Sequence, residues 1–157
     1  MPMKIQWKKL LVCLAVPLTV GGLSALLSGG MGGYDDLIQP PLSPPGWLFP
    51  VVWTVLYLLM GYSSYRILTS GADAGSVKNA LILYGVQLAL NALWSPVFFG
   101  LEWRLVAFFV LIALWLAIIL TIRAFSRIDE RAGDLLLPYL LWVTFAGYLN
   151  FGTYILN

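Results

Sequence analysis

Five long apolar segments dominate the chain, and its charged residues gather in the stretches between them. A helix that crosses a bilayer needs roughly 20 mainly apolar residues, and each of the five segments is long enough. The pattern therefore predicts an all-α integral membrane bundle of five transmembrane helices. We expect one domain, 1–157, with spans at about 10–28, 47–68, 77–100, 103–123 and 135–156.

These spans contain Pro17, Pro96 and Pro138, none of which argues against a membrane helix. Membrane helices tolerate proline where neighbouring groups satisfy the freed carbonyl, so Pro17 and Pro138 are compatible with helix. Pro96 lies near the end of the third span, and its missing N–H favours termination there.

The first span has a basic start followed by an apolar stretch, which is also the pattern of a cleaved signal peptide. Its apolar run is longer than the roughly 7–15 residues of such a peptide. The sequence after it reads as a loop leading into another span. We therefore interpret 10–28 as a retained transmembrane helix.

Composition excludes a soluble domain, because 61% of the residues are apolar and only 10% are charged. Soluble domains carry about 25% charged residues, and a small fold has too little interior to bury this much apolar surface. The expected partner is the lipid bilayer, and the net charge of +2 gives no indication of nucleic-acid binding.

The chain contains no histidine and a single cysteine, so the usual zinc and haem ligands are almost missing. We expect no metal site and no required cofactor. All seven acidic residues fall between the apolar segments, which disfavours a carboxylate-based proton pump.

The basic residues predict the orientation, since cytoplasmic loops of membrane proteins are enriched in lysine and arginine. With the N-terminus in the cytoplasm and the C-terminus outside, only Arg104 of the nine basic residues lies outside. This indicates a multi-pass protein, in the cytoplasmic membrane if its source is bacterial. The residues expected inside are Lys4, Lys8, Lys9, Arg66, Lys78, Arg123, Arg127 and Arg131.

The longest connection is the loop at about 29–46, which is rich in glycine and then in proline. A loop of this length in a small protein is usually either functional or disordered. Because prolines stiffen its second half, we expect an ordered lid on the outer face, with Pro44, Pro45 and Trp47 as lid residues.

Polar and aromatic side chains recur at helical spacing inside three of the spans. For the amides we favour hydrogen bonds between helices over a ligand pocket. The tryptophans that lie inside the spans fit a pocket for a flat ligand better than an interfacial belt. The stripes are Trp53 and Tyr57; Gln87, Asn91 and Ser95 beside Trp94; and Trp142, Ala146 and Asn150.

Three motifs follow one another along the second, third and fifth spans. They are Pro44-Pro45-Gly46-Trp47 with Phe49-Pro50, Trp53, Leu56-Tyr57, Met60-Gly61-Tyr62 and Tyr65; Gln87-Leu88 with Leu90-Asn91 and Trp94-Ser95-Pro96-Val97-Phe98-Phe99; and Pro138-Tyr139 with Trp142, Phe145-Ala146 and Leu149-Asn150. In this order they resemble the TspO/MBR family of translocator proteins and tryptophan-rich sensory proteins, over nearly the whole chain.

The resemblance implies a five-helix bundle, often a homodimer, with a pocket that opens toward the long loop. It also implies binding of porphyrins such as protoporphyrin IX, and in many members of cholesterol and synthetic drugs. The ligand-binding residues implied by motif, taken with the stripes, are Trp53, Tyr57, Gln87, Asn91, Trp94, Trp142, Phe145, Ala146, Leu149 and Asn150.

The chain departs from the family pattern in its loop and near its C-terminus. Gly33 and Leu42 stand where the family commonly has tryptophan, so the lid is less aromatic. No basic residue follows Tyr154, so the animal cholesterol motif is missing. The run from Leu59 through Tyr62 to Arg66 fits only a loose sterol pattern.

The expected function is that of a membrane receptor or carrier for porphyrins, acting in tetrapyrrole sensing, scavenging or transport. A metal-free porphyrin, held by stacking and by amides near its propionates, needs no axial ligand. One alternative is light-dependent protoporphyrin breakdown, for which the resemblance implies Trp53 and Trp142. Others are a transporter or channel for small hydrophobic ligands such as sterols, which the lack of intramembrane charge and of repeats disfavours, and a purely structural protein.

Overall fold

Helices make up most of the computed structural model, which describes residues 4–29 and 36–157. Five of them are long and apolar enough to cross a membrane, which confirms the predicted five-span bundle. A short sixth helix lies between the last two spans. The helices are α1 (Trp7–Leu27), α2 (Leu48–Leu68), α3 (Ala74–Ser95), α4 (Arg104–Ile128), α5 (Glu130–Asp134) and α6 (Leu137–Leu156).

The helix ends differ from the predicted spans by a few residues, for local reasons. α3 begins at Ala74 because the Asp73 carboxylate accepts a hydrogen bond from the backbone N–H of Ser76, at 3.0 Å, and caps the helix. α4 continues to Ile128, beyond the predicted end at Arg123, so Arg127 is helical rather than part of a loop.

Pro96 changes the type of the third helix instead of ending the span. The chain continues from α3 as a π-helix, Pro96–Gly100, in which the Leu101 N–H donates to the Pro96 carbonyl at 2.9 Å. Because the chain is already helical before Pro96, its missing N–H frees the Ala92 carbonyl, which accepts a hydrogen bond from the Ser24 hydroxyl at 2.8 Å. Single π-turns of this kind are frequent next to functional sites.

Contacts between chain segments show which helix ends lie close together. The Gln6 N–H donates to the Tyr65 hydroxyl at 2.9 Å, and the Arg66 guanidinium pairs with Asp129 at 2.7 Å. The start of α1 and the ends of α2 and α4 therefore meet at one end of the bundle, which we call the basic end. Arg104 lies at the opposite end, which we call the loop end. The side of the membrane that each end faces stays a prediction.

α1 and α2 pack most closely near the basic end, at Gly61. A Cβ atom at Gly61 would lie 2.6 Å from the Cys13 carbonyl oxygen and 2.8 Å from the Leu14 Cα, so only glycine fits. Small residues allow membrane helices to approach in this way. Toward the loop end the two helices border a cavity. The main core around Met60, Leu114 and Phe125 is enclosed by α2, α3, α4 and α6.

The described second half of the long loop packs against α6. The Tyr148 hydroxyl donates to the Pro41 carbonyl at 2.6 Å, and the Asn157 side-chain amide donates to the Ile38 carbonyl at 2.8 Å. A Cβ atom at Gly152 would lie 2.7 Å from Pro40, so the loop rests on the α6 backbone there. Leu42 is exposed, whereas Gly33 lies outside the described residues.

The Arg66–Asp129 pair gives the basic end a pH-dependent contribution to stability. Burial raises the pKa of Asp129, but the hydrogen bond and positive charge of Arg66 outweigh it and hold that pKa below its usual value. A lowered folded-state pKa stabilises the protein above the unfolded-state pKa, and this contribution is lost as the pH falls through the folded-state value.

We therefore expect Asp129→Asn to lower the thermal unfolding midpoint in detergent at pH 7 by the equivalent of about 0.2–1 kcal/mol. Asparagine keeps the cap of α5, so the ion pair is the main loss. The difference from the wild type should shrink as the pH falls toward 3. An equal difference at pH 7 and pH 3 would contradict this account.

Candidate functional site

A cavity of about 530 Å³ lies between α1, α2 and α3 at the loop end of the bundle. Its volume is within the roughly 300–1,000 Å³ typical of small-molecule sites. The second half of α1, the first half of α2 and the end of α3 form its walls, and Gly46 of the loop contributes to its rim. The cavity therefore lies on the side of the long loop, as the family resemblance implies.

Small residues of α1 form one wall of the cavity. A Cβ atom at Gly21 would collide with the Tyr57 ring, so glycine leaves the space that this ring occupies. The Ser24 hydroxyl donates to the Ala92 carbonyl at 2.8 Å, and the Ser28 and Ser95 hydroxyls share a hydrogen bond of 2.7 Å. The sequence interpretation missed this wall, although its small residues at helical spacing are typical of close helix packing.

Aromatic rings form the facing walls. Trp53 and Tyr57 of α2 are stacked, with centroids 5.5 Å apart and planes 28° apart. Trp94 of α3 lines the cavity as well, and it stacks on Phe98 with centroids 5.1 Å apart. Stacked rings beside an open space suit a flat conjugated ligand, which gains contact area on their faces.

A chain of hydrogen bonds begins at the cavity and crosses the bundle. The Tyr57 hydroxyl donates to the Asn91 side-chain oxygen at 2.9 Å, and the Asn91 amide donates to the Tyr139 hydroxyl at 2.7 Å. Tyr139 in turn donates to the Gln87 side-chain oxygen at 2.7 Å. The chain links α2, α3 and α6. Gln87 is buried beneath the cavity and does not line it.

Asn150 of α6 links Trp94 of α3 to the backbone of α4. Its side-chain oxygen accepts from the Trp94 indole N–H at 2.8 Å, and its amide donates to the Arg104 carbonyl at 2.8 Å. Both amides at this depth, Asn91 and Asn150, thus have protein partners for oxygen and nitrogen alike. This geometry supports the favoured interpretation that the amides join helices.

Ala146 and Leu149 lie next to the cavity but do not line it. They border a space of about 20 Å³ that shares Phe49 and Trp94 with the cavity wall. Ala146 is buried, and its small side chain leaves this gap beside Trp94.

Trp142 and Phe145 face a different surface, a groove of about 480 Å³ between α2 and α6. The Trp142 ring packs edge-to-face on Phe49, with centroids 5.8 Å apart, and Phe49 lines the cavity on its own side. The structure therefore brings Trp53, Tyr57, Asn91 and Trp94 together at the cavity. Trp142 does not line the cavity and instead packs against Phe49, which does.

The predicted lid residues flank the cavity instead of lining it. Trp47 is 68% exposed, and neither Pro44 nor Pro45 contributes to the described wall, whereas Gly46 between them and Trp47 does. No charged side chain occurs among the described residues that line the cavity. A ligand must therefore be uncharged where it is enclosed, or present its charged groups at the rim.

Comparison with known proteins confirms the family resemblance along most of the chain. The family model described as the TspO/MBR family matches residues 11–156. The chain is 38% identical to the tryptophan-rich protein TspO of Chlorobaculum tepidum over 157 residues, 99% of each protein. It is 40% identical to the protein CrtK of Rhodobacter capsulatus, over 87% of this chain and 85% of that protein. It is also 38% identical to the translocator protein of Bos taurus, over 87% of this chain and 82% of that protein.

The Tyr139 hydroxyl should be important for stability, because it bridges two buried amides. Tyr139→Phe leaves the Asn91 amide and the Gln87 oxygen without their partner, at a cost of roughly 1–3 kcal/mol. We expect a lower thermal unfolding midpoint in detergent micelles. Tyr154→Phe removes the hydroxyl of an exposed tyrosine on the same helix and should leave the midpoint unchanged. Equal midpoints for both variants would contradict a structural role for the bridge.

Proposed function

The chain belongs to the TspO/MBR family, and from this premise we propose that it is a membrane receptor or carrier for porphyrins, which it binds in the cavity between α1, α2 and α3. Protoporphyrin IX and similar tetrapyrroles are the proposed ligand class. The protein would act in tetrapyrrole sensing, scavenging or transport within the bilayer.

The observation that carries this proposal is the stacked pair of Trp53 and Tyr57 on the wall of an uncharged cavity. A planar macrocycle would lie against the Trp53 ring and the small residues Gly22 and Ala25 of α1, since Tyr57 already packs on Gly21. A bulky globular ligand would contact only the rims. The bilayer supports the same choice, since a porphyrin partitions into lipid and reaches the protein there.

The donor groups of the cavity suit a metal-free porphyrin. Its described lining includes no histidine, cysteine or methionine, and the Tyr57 hydroxyl is already bonded to Asn91. An iron porphyrin would find no axial ligand of the usual kind there. Binding of the free base requires only ring contacts.

The propionates of the ligand should lie at the rim of the cavity. Nearby amides are the expected partners, but both side-chain polar atoms of Asn91 and of Asn150 already bond to protein groups, and Asn150 does not line the cavity. Burying an ionised carboxylate without a partner is costly. We therefore propose that the macrocycle enters with its apolar edge first and keeps both carboxylates beside the loop end, in interfacial water.

A channel is less compatible with this geometry. The cavity is confined to the loop-end halves of its three helices, and the Tyr57–Asn91–Tyr139 chain occupies the space beneath it. Nearer the basic end, Gly61 brings α1 and α2 into backbone contact.

The homodimer, the location in the cytoplasmic membrane and the orientation of the two termini stay predictions.

Filling the cavity should weaken porphyrin binding. Ala25 lines the cavity, so Ala25→Phe places a ring in the ligand space, and we expect the affinity for protoporphyrin IX to fall about tenfold or more. The measurement is a titration in the dark that follows tryptophan quenching, corrected for inner-filter loss.

Ala113→Phe is the matched control, because Ala113 is exposed on α4 and lines no part of the cavity. It should bind like the wild type. Saturable binding that survives Ala25→Phe unchanged would place the porphyrin elsewhere. Absence of saturable binding in the wild type would refute the receptor proposal itself.

Light-dependent breakdown of the bound porphyrin is the second candidate, and the position of Trp53 favours it. Only Trp53 of the two tryptophans implied by the resemblance lines the cavity, whereas Trp142 lies behind Phe49. If the protein degrades its ligand in light, Trp53→Phe should slow that loss severalfold while dark binding persists. Trp142→Phe should change the rate less than twofold.

The rate is measured as the decay of porphyrin absorbance under constant illumination, with free porphyrin in the same detergent as reference. A loss no faster than that of free porphyrin, in wild type and variants alike, would leave only the receptor and carrier function. An equal effect of the two substitutions would show that direct ring contact does not determine the rate.

A further inference from the structure

One face of α4 is exposed along almost its whole length. Phe109, Ile112, Leu116 and Leu120 are 60%, 40%, 52% and 50% exposed, respectively. Their separations of three or four residues place them on a single helix face. In a membrane-spanning helix such a face contacts lipid acyl chains.

Two arginines continue this face at the basic end. Arg123 and Arg127 follow Leu120 by three and seven residues, are part of the same helix, and are both exposed. In the part of the chain that the structure describes, neither forms a salt bridge, whereas Arg66 is paired with Asp129. The two guanidinium groups are therefore available to an external anion.

We propose that this face of α4 binds an anionic phospholipid, with its acyl chains along Phe109–Leu120 and its headgroup phosphate between Arg123 and Arg127. The two arginines are one helical turn apart, about 6 Å along the axis, so one headgroup reaches both. Guanidinium groups bind phosphate through paired hydrogen bonds, which a lysine ammonium does not provide.

The apolar face of α4 and the two arginines form one continuous surface, and this favours a lipid as the ligand. Free phosphate would use the arginines alone, and a neutral lipid would gain little from two uncompensated positive charges. An anionic phospholipid uses the charged and the apolar part together, and basic residues at the membrane surface attract such lipids. The site is separate from the cavity, which lies at the other end of the bundle.

The other basic residues of this end do not reproduce the arrangement. Lys8 and Lys9 are consecutive, so their side chains diverge by about 100° around α1. Lys78 is the only basic residue of α3. Arg131 lies in the short α5, which also contains Glu130 and Asp134 and is capped by Asp129. Lys4 precedes α1 and is not part of its face. Among the described residues, only Arg123 and Arg127 present two cations one turn apart on one helix above an apolar face.

The test measures lipid retention by native mass spectrometry of the detergent-solubilised protein. Phosphatidylglycerol and phosphatidylcholine with identical chains are added at equal concentration. We expect the wild type to retain phosphatidylglycerol preferentially. The variant Arg123→Gln/Arg127→Gln should lose that preference, with retention reduced roughly fivefold per arginine. Arg123→Lys/Arg127→Lys, which keeps the charge but loses the paired geometry, should fall between the two.

Lys8→Gln/Lys9→Gln is the matched control, because it removes two exposed charges from the same end. It should retain phosphatidylglycerol within twofold of the wild type. Equal losses in the two glutamine variants would overturn the proposal, since they would show a general charge effect. Equal retention of phosphatidylcholine, or displacement by the chain-free headgroup glycerophosphoglycerol at the concentration of the lipid, would also overturn it.

Discussion

The Tyr139 hydroxyl, which joins Asn91 to Gln87, is the interaction on which the arrangement of the site depends. Hydrocarbon offers no water to satisfy polar groups, so buried amides in a membrane protein must find partners on neighbouring helices. Because Asn91 is fixed by Tyr139, it holds the Tyr57 hydroxyl, and the Tyr57 ring in turn stacks on Trp53. The aromatic wall of the cavity is thus positioned by a bond that lies outside it.

Much of this fold follows from the length of the apolar segments and the spacing of the polar ones. The five spans are predictable because lipid demands long helices, and the stripe of Gln87 and Asn91 points into the bundle as its spacing indicates. The end of the third span was less predictable. Pro96 was expected to favour termination of the helix, but the chain continues past it as a π-helix.

The composition of the site was predictable only in part. Trp142, Ala146 and Asn150 share a stripe on α6, yet they meet different neighbours: the α2 groove, the gap beside Trp94, and the α4 backbone. Spacing shows which residues share a helix face, but it does not show which helix that face meets. The wall formed by Gly21 and its neighbours was missed because small residues contribute space instead of chemistry.

The two ends of the bundle present different chemistry to the bilayer. The loop end holds an uncharged aromatic cavity, and the basic end holds exposed arginines above an apolar face. Under the two proposals, a hydrophobic ligand enters at the loop end and an anionic lipid contacts the basic end.

The most direct measurement of the central claim is an experimental structure of the protein with protoporphyrin IX bound in the dark. The account predicts the macrocycle between α1, α2 and α3, in van der Waals contact with Trp53 and Tyr57, with its carboxylates at the loop end. A macrocycle in the α2–α6 groove against Trp142 and Phe145, with the cavity vacant, would contradict it.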